Sequence, residues 1–147
     1  MFKNFFRKSK KEKRERKENS NDKNILIIAL LVHAAKIDEN YTEIEKKIIK
    51  KTIIQLNQVS PNEAEKLLIM AEKKEEESNQ IVEFTREIKK YPMEFRLKII
   101  EIIWKIVYSD GTNDNYESNL IRRICGLLYV SDKDNGIIKT KVESLSK

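Results

Sequence analysis

Asp110-Gly111-Thr112-Asn113-Asp114-Asn115-Tyr116-Glu117 is an acidic loop that runs straight into an apolar helix pattern. It has an earlier counterpart in Asp38-Glu39-Asn40-Tyr41-Thr42-Glu43-Ile44-Glu45. Asp38 corresponds to Asp110, Thr42 to Asp114, Glu45 to Glu117 and Ile49 to Ile121, all at the same offset along the chain. Thr42-x-x-Glu45 and Asp114-x-x-Glu117 both have the form of an N-cap with a reciprocal acidic residue three positions on. Such a pair supplies acceptors for amides that have no helical partner. The loops therefore read as helix starts as well as acidic clusters.

The flanks repeat too. Ile25 to Ala35 and Met93 to Tyr108 precede the two loops and are apolar on every side, which predicts two central helices. Ile25 to Ala35 falls far short of the roughly twenty residues that cross a bilayer. After the loops, Ile44, Ile48, Ile49, Ile53 and Leu56 mark the inner face of one helix, and Leu120, Ile121, Ile124 and Leu128 that of another. These helices end near Gln58 and Tyr129. Fresh caps follow at Ser60-Pro61-Asn62-Glu63, with proline at the tolerated first helical position, and at Ser131-Asp132-Lys133-Asp134. Lys73 to Gln80 reads as a solvated charge run, and Ile81, Phe84 and Ile88 as a linking helix that stops before Pro92.

The expected architecture is all-α: about seven helices in a single globule, built from two duplicated three-helix units related by a pseudo-twofold. Composition agrees, because 147 residues with 3 Gly and 2 Pro leave few of the turns a sheet protein needs. That length buries a substantial core without disulfides. The single Cys125 sits within Ile121, Ile124 and Leu128 and reads as a buried core thiol compatible with a reducing cytoplasm.

The net charge of +6 is confined to one end. Residues 1–24 hold ten basic side chains against four acidic ones, so residues 25–147 are neutral overall. A DNA-binding face needs excess positive charge on the folded body, and the distribution gives no support for a nucleic-acid partner. We therefore divide the chain into a basic tail, residues 1–24, expected to be mobile or a polar helix of marginal stability, and a helical domain, residues 25–147. Within the tail, Phe2, Phe5 and Phe6 would share a helical face directly before the basic run. That pattern suits a weak peripheral anchor on an anionic membrane surface; alternatively the phenylalanines cap the core and the charges keep the tail soluble. The early apolar patch is too short for a signal peptide.

These motifs in this order, with Tyr108-Ser109-Asp110-Gly111 leading to Glu117 and Ile121-Arg122-Arg123-Ile124-Cys125-Gly126-Leu127-Leu128-Tyr129-Val130-Ser131 after it, resemble the TerB family, named for tellurite resistance proteins. The resemblance spans roughly residues 25–143. Family members typically carry Ala-Asp-Gly-x-Ile-Asp-x-x-Glu in such loops. The second copy keeps the pattern as Asp110, Gly111, Asp114 and Glu117, whereas the first has Glu39 in place of glycine and Thr42 in place of aspartate. A related domain opens a membrane-anchored DnaJ-like co-chaperone, but the chain has no His-Pro-Asp motif, its sole histidine being His33. The resemblance implies an all-helical domain of a kind commonly attached to membrane-associated stress systems, with an acidic cluster suggested to bind metal ions; it does not imply an enzyme, and we expect none.

Asp38, Glu45, Asp110, Asp114 and Glu117 are hard oxygen donors suited to Ca²⁺, Mg²⁺ or Mn²⁺. The loop at Asp110 lacks the order of an EF-hand. Helix capping accounts for the same residues without an ion, so cation site, acidic partner surface and pure capping all stand at this point. A metal-dependent or acid/base enzyme using the acidic cluster is the alternative function. No nucleophile stands beside a base, and glycine-rich phosphate loops and Cys/His zinc spacing are absent. His33 lies among Leu30, Leu31, Val32 and Ala34 and reads as a satisfied core or pocket-edge residue; Trp104 and Tyr108 read as core packing, with the Tyr108 hydroxyl directed at the acidic loop.

Overall fold

Helix-favouring composition and the apolar periods above produce seven helices, and no strand, among the residues that the computed structural model describes, 17–37, 41–109 and 115–145. They are α1 Lys17–Lys36, α2 Glu43–Asn57, α3 Pro61–Glu77, α4 Val82–Lys89, α5 Met93–Tyr108, α6 Asn115–Leu127 and α7 Asp132–Leu145. None is long and apolar enough to cross a membrane.

The two all-round apolar helices are central. In α1, Ile27 to Val32 are fully inaccessible, which requires neighbours on every side; α2, α3, α4, α5 and α6 supply them. In α5, Phe95, Ile99, Ile100, Ile103 and Ile106 are fully inaccessible too, with α1, α2, α6 and α7 around them. A helix buried on one stripe alone could not have these sequences. The outer helices show the narrower pattern: α2 buries Ile49, Ile53 and Leu56, and α3 buries Ala64, Leu68 and Ala71.

Helix ends follow local chemistry. Thr42 Oγ1 accepts the Glu45 amide at 3.1 Å while Glu45 Oε1 accepts the Thr42 amide at 2.8 Å, a complete capping box. Ser60 Oγ accepts the Glu63 amide at 3.2 Å behind Pro61, and Ser131 Oγ accepts the Asp134 amide at 3.1 Å. Gln58 and Tyr129 end α2 and α6 in the left-handed region, with φ of 52° and 58°. After α6 the Val130 amide reaches the Cys125 carbonyl at 2.8 Å and the Tyr129 amide the Gly126 carbonyl at 3.3 Å, the Schellman arrangement with tyrosine where glycine is usual.

Two details differ from the sequence reading. Among the described residues α1 extends back to Lys17, eight residues before the apolar period; Asn19, Ser20, Asn21, Asp22 and Asn24 are weak helix formers, so the buried apolar segment nucleates the helix that runs on through them. Lys73 to Glu77 is the last part of α3, and its Glu75 packs inward against α1. Arg96 of α5 also ties the α4–α5 turn to the end of α6: its Nε donates to the Tyr91 carbonyl at 3.0 Å and its Nη1 to the Leu128 carbonyl at 2.9 Å.

Candidate functional site

At the first loop, the described residues begin at Tyr41. Glu45 is 3% exposed and its Oε1 serves the capping box, so the helix start engages the carboxylate that the sequence offers as a ligand. Tyr41 packs beside it, with Lys46 Nζ 4.9 Å from the ring centroid and also 3.6 Å from Glu43. The Tyr41 hydroxyl is buried next to Glu72 without a hydrogen bond of ordinary geometry. Burial first, then Glu72 and the charges of Glu45 and Glu43, push this phenol well above its ordinary pKa. Asp38, the other candidate in this copy, lies outside the described residues.

One turn away, the end of α1 meets α3 through a compact ionic group. Glu75 takes His33 Nδ1 at 3.0 Å on one oxygen and Lys36 Nζ at 2.9 Å on the other, with Glu76 3.8 Å from the same lysine. Burial opposes the Glu75 charge, yet Lys36 and His33 outweigh it and lower its pKa; the same contact raises that of Lys36. His33 is thus a satisfied edge residue, and its partner is a glutamate 42 positions away.

At the second loop, α5 ends at Tyr108, Ser109 Oγ donates to the Ile106 carbonyl at 2.6 Å, and α6 opens at Asn115. Glu117 is the third residue of α6. Asp110 and Asp114 lie outside the described residues, as does the side chain of Glu117. The Tyr108 hydroxyl donates to Glu143 Oε2 of α7 at 3.0 Å, and its ring stacks on Trp104 at 5.6 Å. Among the described residues no three His, Cys, Asp or Glu side chains are grouped to hold a metal ion.

Sequence reasoning missed a further buried acid. Glu101, inside the apolar face of α5, contacts Lys98 at 3.4 Å, Lys105 at 3.3 Å and Lys141 of α7 at 3.0 Å. Burial alone would raise its pKa, but the three lysines bring it down to about 2. The i−3 and i+4 spacing of Lys98 and Lys105 was the available signal; nothing in the sequence marks Lys141.

A family model described as tellurite resistance protein TerB matches residues 24–140. The chain belongs to the TerB family. No curated protein and no solved structure matches it. The TerB match starts eight residues into α1, ends within α7, and contains all five candidate ligands, Asp38, Glu45, Asp110, Asp114 and Glu117. It also contains α5 and the apolar part of α1, and with them most of the buried core.

Proposed function

We propose that the chain is a non-enzymatic TerB-like adaptor of the stress-response, tellurite-resistance type, working in the cytoplasm and binding a divalent cation or a protein partner through its acidic loops. The observation that carries this reading is the asymmetry between the two copies. Glu45 is buried and engaged in a capping box, and Thr42 stands where the second copy has Asp114. Helix capping therefore accounts for the first copy, and cation binding falls to Asp110, Asp114 and Glu117. Their oxygen-only donor set suits Ca²⁺, Mg²⁺ or Mn²⁺. Asp38 would then contribute to the acidic surface offered to a partner. The basic residues 1–24, with Phe2, Phe5 and Phe6, would hold the domain peripherally at the inner face of a membrane through attraction to anionic lipid.

Calorimetric titration of the full chain with Ca²⁺ and with Mn²⁺ tests the cation reading. Binding should survive Glu45→Gln and disappear in the Asp110→Asn, Asp114→Asn, Glu117→Gln triple variant. Equal heats from the triple variant and the unmodified chain would overturn it.

A further inference from the structure

The last helix is held differently from the others. Helix α7 runs for 14 residues, yet among them Val142 alone is buried, with Ile138 partly so. Its main hold is a row of polar contacts to α5. The Trp104 indole N–H donates to Asn135 Oδ1 at 2.9 Å, Lys139 Nζ lies 5.4 Å from the Trp104 ring centroid, Lys141 Nζ donates to Glu101 Oε1 at 3.0 Å, and the Tyr108 hydroxyl donates to Glu143. Glu101, Trp104 and Tyr108 are spaced i, i+3 and i+7, so all four contacts fall along one face of α5.

Those contacts are arranged so that parting them strands little. Without Lys141, Glu101 keeps Lys98 and Lys105, both carried on α5 itself. Trp104 keeps the stacked Tyr108 ring, also on α5. A buried charge left unpaired is what makes breaking an ion pair costly, and here no such charge results. Asn135, Lys139, Lys141 and Glu143 are polar groups that water can satisfy once α7 moves away. By contrast, removing α1 or α5 would open the continuous core.

We infer that α7 is a releasable strap: it detaches from the Glu101–Trp104–Tyr108 face of α5 as a unit while α1 to α6 remain folded. Local opening of this kind belongs to segments with few buried apolar contacts. The released face would present the chain's single tryptophan, which is 2% exposed while the strap is closed. It would also part Tyr108, the final residue of α5, from Glu143.

Amide hydrogen exchange on the full chain, read segment by segment and paired with Trp104 fluorescence, tests the strap. Amides of residues 132–145 should exchange at least about tenfold faster than those of α1 and α5. Raising salt from about 0.05 M to about 1 M should widen the difference, because the Lys141 contact is partly exposed and therefore screened. In an Asn135→Ala, Lys141→Ala double variant, residues 132–145 should lose protection and Trp104 emission should shift to the red, with α1 and α5 still protected. Residues 132–145 exchanging at the rate of α5 in the unmodified chain would overturn the inference. So would a double variant that loses protection in all helices together, since that would make α7 part of the cooperative core.

Discussion

Lowering the pH with and without the Glu101 carboxylate isolates what its three lysines contribute. A free glutamate titrates at 4.5 and Glu101 in the folded protein at about 2. The folded state therefore holds this proton more weakly than the unfolded state does. Stabilisation is fully present above about pH 4.5 and is lost as the pH falls toward 2. At about 1.36 kcal/mol per unit, the drop corresponds to a ceiling of about 3.4 kcal/mol. The lysine side chains are 33%, 47% and 59% exposed, so water and salt screen the attraction, and a value of about 1–2 kcal/mol is expected. Urea unfolding of the unmodified chain and of Glu101→Gln, from about pH 7 to about pH 2.5, measures it directly. The glutamine variant should be less stable by about 1–2 kcal/mol near neutrality. The gap should narrow below about pH 4.5 and nearly close at the acid end. A gap that stays constant across this range would place Glu101 at an ordinary pKa and show that the three lysines contribute nothing through its charge.

The Arg96 clamp and the buried thiol are separately testable. Arg96→Ala removes two charge-assisted donors from the Tyr91 and Leu128 carbonyls and should cost about 2–4 kcal/mol in urea unfolding. Arg96→Lys should recover about half, because one ammonium cannot span both carbonyls; a lysine variant as stable as the unmodified chain would contradict the two-point geometry. Cys125 is 1% exposed, and burial first, then the Asp132 charge, pushes its thiol up to about 12. An aromatic disulfide reagent should therefore label it only at the rate of unfolding, and rapid labelling of the native protein would show an open path to the thiol.

Much of this fold can be read from local pattern. Thr42 with Glu45, Ser60 before Pro61, and Ser131 are short-range devices whose partners lie three residues away, so their spacing alone discloses them. The all-round apolar character of Ile25 to Ala35 and Met93 to Tyr108 likewise forces central positions. The longer-range polar contacts have no such signature. His33 and Glu75 are 42 positions apart, and Glu101 and Lys141 are 40 apart. Periodicity tells which face of a helix is buried but not which helix covers it, so Glu75 looks like one charge in a solvated run and Tyr108 like a neighbour of its own loop. The reach of α1 back to Lys17 was hidden for another reason: Lys17 to Asn24 carries no apolar period and is rich in Asn, Ser and Asp, which are weak helix formers. In the candidate site, the sequence showed that Glu45 had the form of a cap but not that it would be buried at 3% exposure while serving as one.

The division of labour between the two loops is open to a single spectroscopic measurement. With Mn²⁺ added in small steps to isotopically labelled full-length protein, paramagnetic broadening reports distance from the ion residue by residue. The amide signals of Asp110, Asp114 and Glu117 should broaden first, while those of Thr42 and Glu45, held in their capping box, persist. Broadening centred on Glu45, or none at either loop at millimolar Mn²⁺, would contradict a cation site in the second copy.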